Sequence, residues 1–365
     1  MGIFDGEGSR LYFVQNPDAG LRMIIVLDDL TLGAALGGIR LYDYGSEEEA
    51  VTDAKRLARG MTFKNAIIYR LSHGKLSHGG GKAVIWAKKK DKTRELLYAA
   101  AEAINDLGGK YIGGEDMNMS VDDVEIMLDK TRFITGIHES HYRGGRIGSG
   151  NPAPVTALGV FEGMRSCLKF VLGTDWMWNR TFLVQGAGNV GMEILKHLTV
   201  RGNASRITVT DREESQINKV RLMYPEIKLI QPENSDDIYD MECDVFIPCA
   251  IGGIINDQTI PRLKCKIVAG SANNQLLEPR HGEMLYERDI LYAPDYVINA
   301  GGAINVAMEL QPFGYNHGEA TELAKRIGPL LTQIFQESKQ TNTPPEKIAD
   351  RMALAEIEKF KEKNF

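Results

Sequence analysis

Apolar residues recur along this chain with two periods, and the change from one to the other marks its elements. Met23-Ile24-Ile25-Val26-Leu27 and Ala83-Val84-Ile85-Trp86 are short apolar runs that predict strands. Amphipathic stretches from Glu47 to Arg59 and from Thr93 to Leu107 predict helices. Ser46 is placed to cap the first, and its opening glutamates suit the positive end of the helix dipole. Gly108-Gly109 ends the second, and Ser120 caps a third, Val121 to Leu128. From Thr181 the pattern becomes regular. Thr181 to Gln185, Ile207 to Thr210, Val245 to Ile247 and Ile267 to Ala269 are apolar runs separated by helix-length segments, the first followed by a helical stretch from Asn189 to Val200. Such alternation predicts a parallel, doubly wound sheet. Residues 319–365 read as mostly helical and are expected to pack back on the first domain.

A glycine-rich stretch from Tyr142 to Asn151, closed by Pro152 and Pro154, divides these two regions. It suits a hinge or interdomain crevice, or else a plain surface loop. At 365 residues the chain is long enough for two domains. The fold class is therefore α/β with two domains. The expected division is 1–145 with 326–365 against 146–325.

Composition narrows the function. Hydrophobic content of 43% and charged content of 25% are those of a soluble globular protein. A net charge of −6 argues against a nucleic-acid surface. No apolar run approaches the roughly 20 residues needed to cross a bilayer. The N-terminal stretch carries no secretory pattern, so a cytoplasmic protein without membrane partners is expected. Cys167, Cys243, Cys249 and Cys265 form no metal-binding spacing and read as reduced thiols; no metal is expected.

Gly186-Ala187-Gly188-Asn189-Val190-Gly191 is a complete GxGxxG between an apolar strand and a helix. Gly186 permits the tight turn, Gly188 lets the backbone approach a pyrophosphate, and Gly191 lets helix and strand close up. The first turn, Asn189-Val190, offers free N–H groups at the helix N-terminus. Asp211 follows about 20 residues later, where an acid binds the adenosine ribose. That acid favours NAD over NADP, a preference that the adjacent Arg212 weakens.

Two lysines carry the chemistry. Lys64 lies within GMTFKNA, and Lys82 follows Gly79-Gly80-Gly81. The three glycines imply close backbone approach, where side chains would block a ligand. A fixed cation suits a carboxylate, and a desolvated lysine beside another cation has its pKa lowered toward that of a working base. Glu115-Asp116, after Tyr111-Ile112-Gly113-Gly114, supplies a carboxylate for proton shuttling.

These motifs stand in a recognisable order. LGGIR at Leu36 to Arg40, GMTFKNA, GGGKAVI, GGEDMN, SGNPAPVTALGV, VQGAGNVG, PCAIGG, AGSANNQL and APDYVINAGGAINVA together resemble the leucine dehydrogenase branch of the Glu/Leu/Phe/Val dehydrogenase family. The resemblance implies a substrate-binding and oligomerisation domain plus an NAD-binding domain of Rossmann type, with the active site in the cleft between them. It implies NAD-dependent, reversible oxidative deamination of an apolar L-amino acid to its 2-oxo acid and ammonia. By the same resemblance Lys82 is the base, Asp116 its proton-relay partner and Lys64 the holder of the substrate carboxylate. Leu36, Gly37, Met61, Ala303 and Val306 match positions lining the side-chain pocket. Thr156 matches a nicotinamide carboxamide contact. Asn273 and Asn274 match asparagines near the nicotinamide ribose and the carboxylate, and Cys249 and Ala250 belong with the cofactor contacts.

Three features depart from that pattern. Arg70 to Lys75 looks like an insertion, nearly repeated in Leu76 to Gly79; removing it leaves the family's spacing, so it is expected to bulge from the surface and be dispensable. Ala303 implies a roomier pocket, and Met117-Asn118-Met119-Ser120 is similar to tryptophan-specific relatives. An aromatic amino-acid dehydrogenase is therefore the alternative within the class. A non-catalytic dinucleotide-binding protein is the alternative outside it. The chain lacks the basic tail by which the resemblance joins dimers into octamers, so a homodimer is expected.

Overall fold

The computed structural model describes residues 8–139, 142–143, 146–312 and 314–364. The chain forms two compact units. Unit 1 is Met1–Pro152 with Ala303–Ala320 and Ala353–Phe365; unit 2 is Ala153–Gly302 with Thr321–Met352. The division differs from the expected one in the last third. Ala303–Ala320 and Ala353–Phe365 cluster with unit 1, whereas residues 321–352 cluster with unit 2.

Unit 1 holds β1 (Arg10–Asn16), β2 (Leu21–Asp29), β3 (Ala35–Tyr42), α1 (Glu47–Leu71), β4 (Gly79–Trp86), α2 (Arg94–Asp106), β5 (Tyr111–Glu115), α3 (Val121–Met127) and the short strands β6 (Tyr142–Arg143) and β7 (Arg146–Ile147). Its main sheet runs β1-β2-β4-β3-β5, with β3 parallel to β4 and β5, and β2 antiparallel to β1 and β4. Successive side chains on a strand point to opposite faces. Met23, Ile25, Leu27, Ala83 and Ile85 pack in one cluster with Leu96, Leu97 and Ala100 of α2. Ile24, Val26 and Val84 pack on the other side with Val51, Ala54 and Ala58 of α1. Both faces are covered, so the strands read as continuous apolar runs rather than alternating ones. Lys82 shares the α1-facing register of Val84, and Leu36, Gly38 and Arg40 occupy the corresponding face of β3.

The α1 helix runs twelve residues past its expected end at Arg59, so Lys64 lies on a helix and not in a loop. Its N-cap is as expected, Ser46 Oγ accepting from Glu49 N at 3.1 Å. A mid-helix glycine costs about 1 kcal/mol. Burial of Ala66, Ile67, Ile68 and Leu71 outweighs that at Gly60.

Unit 2 begins with α4 (Ala153–Leu172), then β8 (Thr181–Gln185), α5 (Asn189–Lys196), β9 (Arg206–Thr210), α6 (Glu214–Met223), β10 (Lys228–Ile230), β11 (Glu242–Pro248), β12 (Lys264–Val268), α7 (Arg280–Glu287), β13 (Leu291–Tyr292) and α8 (Asp295–Ile298). The sheet order is β10-β9-β8-β11-β12-β13, all pairs parallel. The strand order reverses at β8, the switch point beside which such sheets bind ligands. Four helices complete the chain: α9 (Gly301–Glu309), α10 (His317–Lys325), α11 (Ile327–Thr341) and α12 (Pro345–Asn364). Gly163 of α4 admits Leu331 of α11, since a Cβ there would stand 2.9 Å from Leu331 Cδ1. No helix among the described residues is long and apolar enough to cross a membrane.

The segment Arg70 to Lys75 is not a solvent bulge. Arg70 and Leu71 complete α1, and Leu71 and Ser72 are buried. His73 and Gly74 make the turn with positive φ of 53° and 85°. Arg70 meets Glu356 at 2.6 Å and Lys75 meets Glu319 at 2.9 Å, both within unit 1. Of the expected glycine-rich hinge, residues 144–145 lie outside the described residues, and β6 and β7 pair antiparallel around them.

Candidate active site

Lys82 comes from the middle of β4 and is almost wholly buried, its side chain 5% exposed. Its Nζ lies 3.0 Å from Asp116 Oδ2, just past the end of β5. Gly38 of the adjacent β3 makes room for them: a Cβ there would stand 2.8 Å from Lys82 Nζ and 2.8 Å from Asp116 Cβ. Burial pushes Lys82 below the usual lysine range; Asp116 opposes this and Arg40 adds to it. Burial alone would raise Asp116, but the cations of Lys82 and Arg40 hold it well below the ordinary carboxylate range. Glu115 behaves oppositely, pushed up to about 7 by burial and by the neighbouring Asp116 charge.

The glycines before Lys82 serve the protein's own packing. A Cβ on Gly80 would overlap Thr62 of α1, and one on Gly81 would stand 2.8 Å from Val26 O and 2.9 Å from Ala35 Cβ. Close approach is therefore to α1, β2 and β3, correcting the expectation that the triglycine clears space for a ligand. Asn65 locks the same corner, donating to Leu36 O at 3.0 Å and Gly79 O at 2.6 Å. Lys64 stands beside it in α1 and is buried.

Of the expected pocket residues, Leu36 is buried on β3 and Gly37 lies against the backbone of Gly81, which a Cβ would overlap. Met61 is half-buried on α1. Ala303 and Val306 are half-buried on α9. Thr135 Oγ1 donates to Val306 O at 3.0 Å, and a Cβ on Gly136 would stand 3.7 Å from Val306 Cγ1.

The dinucleotide motif in unit 2 has the expected local geometry. Gly186 has φ of 103°, and Gly188 is the N-cap of α5 with open space where a Cβ would project. A Cβ on Gly191 would overlap Gly186 O, so strand and helix close as the motif requires. Asn189 and Val190 form the first turn of α5. Asp211, at the end of β9, accepts from Ala187 N at 2.7 Å and from Glu213 N at 2.9 Å. Arg212 points to Asp236 at 3.8 Å and is largely exposed. Cys249 N donates to Gln185 O at 2.7 Å, which brings Cys249 and Ala250 beside Gly186. Asn299 Nδ2 donates to Asn273 Oδ1 at 3.0 Å, and Asn274 adopts a positive φ of 50°. Thr156 is buried on α4.

Residues 9–133 match the model of the Glu/Leu/Phe/Val dehydrogenase dimerisation domain, and residues 212–364 match that of glutamate/leucine/phenylalanine/valine dehydrogenase. The chain is 44% identical to leucine dehydrogenase of Thermoactinomyces intermedius, covering 98% of this chain and 94% of that one. It belongs to the Glu/Leu/Phe/Val dehydrogenase family. Phenylalanine dehydrogenase of Caldalkalibacillus thermarum is 40% identical over 97% of this chain and 92% of its own. Among solved structures, L-tryptophan dehydrogenase from Nostoc punctiforme superposes with a TM-score of 0.75 at 35% identity, covering 97% of this chain and 96% of that one. As a member of this family of pyridine-nucleotide-dependent dehydrogenases, the chain is an amino-acid dehydrogenase.

Sequence reasoning missed several buried and half-buried polar residues of unit 1, some of them in contact with the candidate site. Arg40, quoted only within a motif, donates from Nε to Asp116 Oδ2 at 2.9 Å and from Nη1 to Asp53 Oδ2 at 3.0 Å. Tyr44 OH donates to that same Asp53 oxygen at 2.7 Å. Glu309 is fully buried and accepts from Gly136 N, Ser149 N and Ser149 Oγ, each at 2.9 Å. An arginine within an apolar strand was the available signal for the first group. Nothing in the spacing marked the second.

Proposed function

We propose that this enzyme oxidatively deaminates an apolar, branched-chain-type L-amino acid with NAD, reversibly, giving the 2-oxo acid and ammonia. The observation that carries the reading is the buried Lys82–Asp116 pair at 3.0 Å, over a glycine that leaves it room. Lys64 holds the substrate carboxylate in this reading, and Leu36, Gly37, Met61, Ala303 and Val306 receive the side chain, with Asn274 assisting at the carboxylate. The Gly186–Gly191 turn, Asp211, Thr156, Cys249, Ala250 and Asn273 hold the dinucleotide. Held by these residues, NAD would supply the acceptor for the hydride that leaves the substrate Cα. Neutral Lys82 then takes a proton from water as its oxygen adds to the resulting iminium carbon. Protonated Lys82 then passes that proton through Asp116 to the amine nitrogen, and ammonia leaves as the hydroxyl proton returns to Lys82 and the 2-oxo acid forms. An oriented acid–base group of this kind is worth about 10²–10⁴-fold in rate.

Asp211 supports NAD, since a 2′-phosphate would meet its carboxylate, though the exposed Arg212 beside it weakens that preference. An aromatic substrate is the second reading, favoured by the likeness to L-tryptophan dehydrogenase. The match of residues 9–133 to a dimerisation domain supports a homo-oligomer, and we favour a dimer formed through unit 1. A panel of amino acids assayed with NAD and with NADP tests the assignment. Reduction of NAD by leucine, isoleucine and valine is expected to exceed that by phenylalanine and tryptophan at least tenfold in kcat/KM. The reverse order selects the aromatic reading.

A further inference from the structure

We propose that Arg40, anchored by Asp53 and Tyr44, is the positioning residue that fixes the Asp116 carboxylate against Lys82. This rests on the reading of Lys82 as the base. Asp116 Oδ2 receives both cations, Arg40 Nε at 2.9 Å and Lys82 Nζ at 3.0 Å. The lysine reaches it on a flexible four-carbon stem, whereas a guanidinium is a planar fork. Here the fork is pinned at both ends. Arg40 Nη1 meets Asp53 of α1 at 3.0 Å, and Tyr44 OH closes on that same carboxylate at 2.7 Å. The inner end of this chain of contacts is shielded, with Arg40 14% and Asp116 16% exposed, while the anchoring Asp53 is 28% exposed.

The charge of Arg40 matters as much as its shape. When Lys82 gives up its proton, a buried Asp116 without Arg40 would be left an unpaired anion, which is strongly unfavourable. Lys82 would then hold its proton. Arg40 is always charged, so Asp116 stays paired through the cycle. It also repels the proton on Lys82. The charged groups acting on Lys82 are Asp116 after β5, Arg40 of β3 and Asp53 of α1. Glu115 lies next to Asp116, Tyr44 contacts Asp53, and α1 also carries the buried Lys64. On β2 the residue opposite Lys82 is the apolar Val26.

The test is the pH profile of kcat/KM for deamination in the full-length enzyme, with Arg40→Met, Arg40→Lys and Lys82→Ala. In Arg40→Met the limb that rises with pH should move about one unit or more to higher pH, because losing the cation favours protonated Lys82. In Arg40→Lys the limb should stay near its wild-type position while kcat falls about 10–100-fold through lost orientation. An unmoved limb in Arg40→Met, or wild-type kcat in Arg40→Lys, overturns the proposal while Lys82→Ala remains inactive. Should Arg40→Met not fold, Arg40→Lys decides alone. Substantial turnover in Lys82→Ala overturns the base reading instead, and this proposal with it.

Discussion

At Gly38 the Lys82–Asp116 pair leaves no room for a side chain. A methyl group there would press on the Lys82 ammonium, which can swing aside, and on the Asp116 Cβ, which cannot. Gly38→Ala should therefore displace the carboxylate without disturbing unit 2. We expect kcat to fall about 100-fold, the cost of roughly 1 Å of misplacement, with dinucleotide binding by fluorescence titration unchanged. A folded Gly38→Ala enzyme with normal kcat would show that the pair tolerates displacement. His78 makes a different prediction at the same scale. Neither ring nitrogen has a hydrogen-bond partner, and burial pushes the imidazole down to about 4 from its ordinary 6.5. The folded state thus binds fewer protons than the unfolded one between these values. Stability from this residue is full above about pH 6.5 and is lost as pH falls toward 4. His78→Leu should flatten that part of a Tm-against-pH curve, and an unchanged slope would mean that other groups set it.

The elements show what could be read from the chain and what could not. The strands of unit 2 and the Gly186–Gly191 turn follow from local pattern, because a buried parallel strand and a phosphate-binding turn each need particular residues in place. Lys82 and Asp116 were legible as types beside glycine runs. Their pairing came only from the family resemblance, because local pattern does not show that β3 lies between β4 and β5 in the sheet. Arg40 was hidden for the same reason: its partners Asp53 and Asp116 are 13 and 76 residues away. Helix α1 is predicted only to Arg59, whereas tertiary burial carries it through Gly60 to Leu71. That extension also changes the outlook for Arg70 to Lys75. Deleting the segment removes the buried Leu71 and Ser72 together with the Arg70–Glu356 pair. Loss of a buried leucine alone costs about 2–5 kcal/mol. The deletion variant should melt well below wild type by differential scanning calorimetry; a Tm within a degree or two would restore the view of a dispensable bulge.

At the scale of the molecule, the ordered series of motifs spans both units, and both family models match within it. In the proposed reading labour is divided, with the Lys82–Asp116 pair in unit 1 and the Gly186–Gly191 turn in unit 2. Where residues 321–352 belong was not legible, because an amphipathic pattern shows which face of a helix is buried and not what covers it. The two sets of residues are separable by mutation. Lys82 should be needed for chemistry and not for holding the cofactor. The most direct test is Lys82→Ala, followed by NADH formation from leucine and by NAD titration of the same preparation. The account predicts a loss of about 10²–10⁴-fold in kcat with an NAD Kd within a few-fold of wild type. Turnover close to wild type in a folded Lys82→Ala enzyme would contradict it.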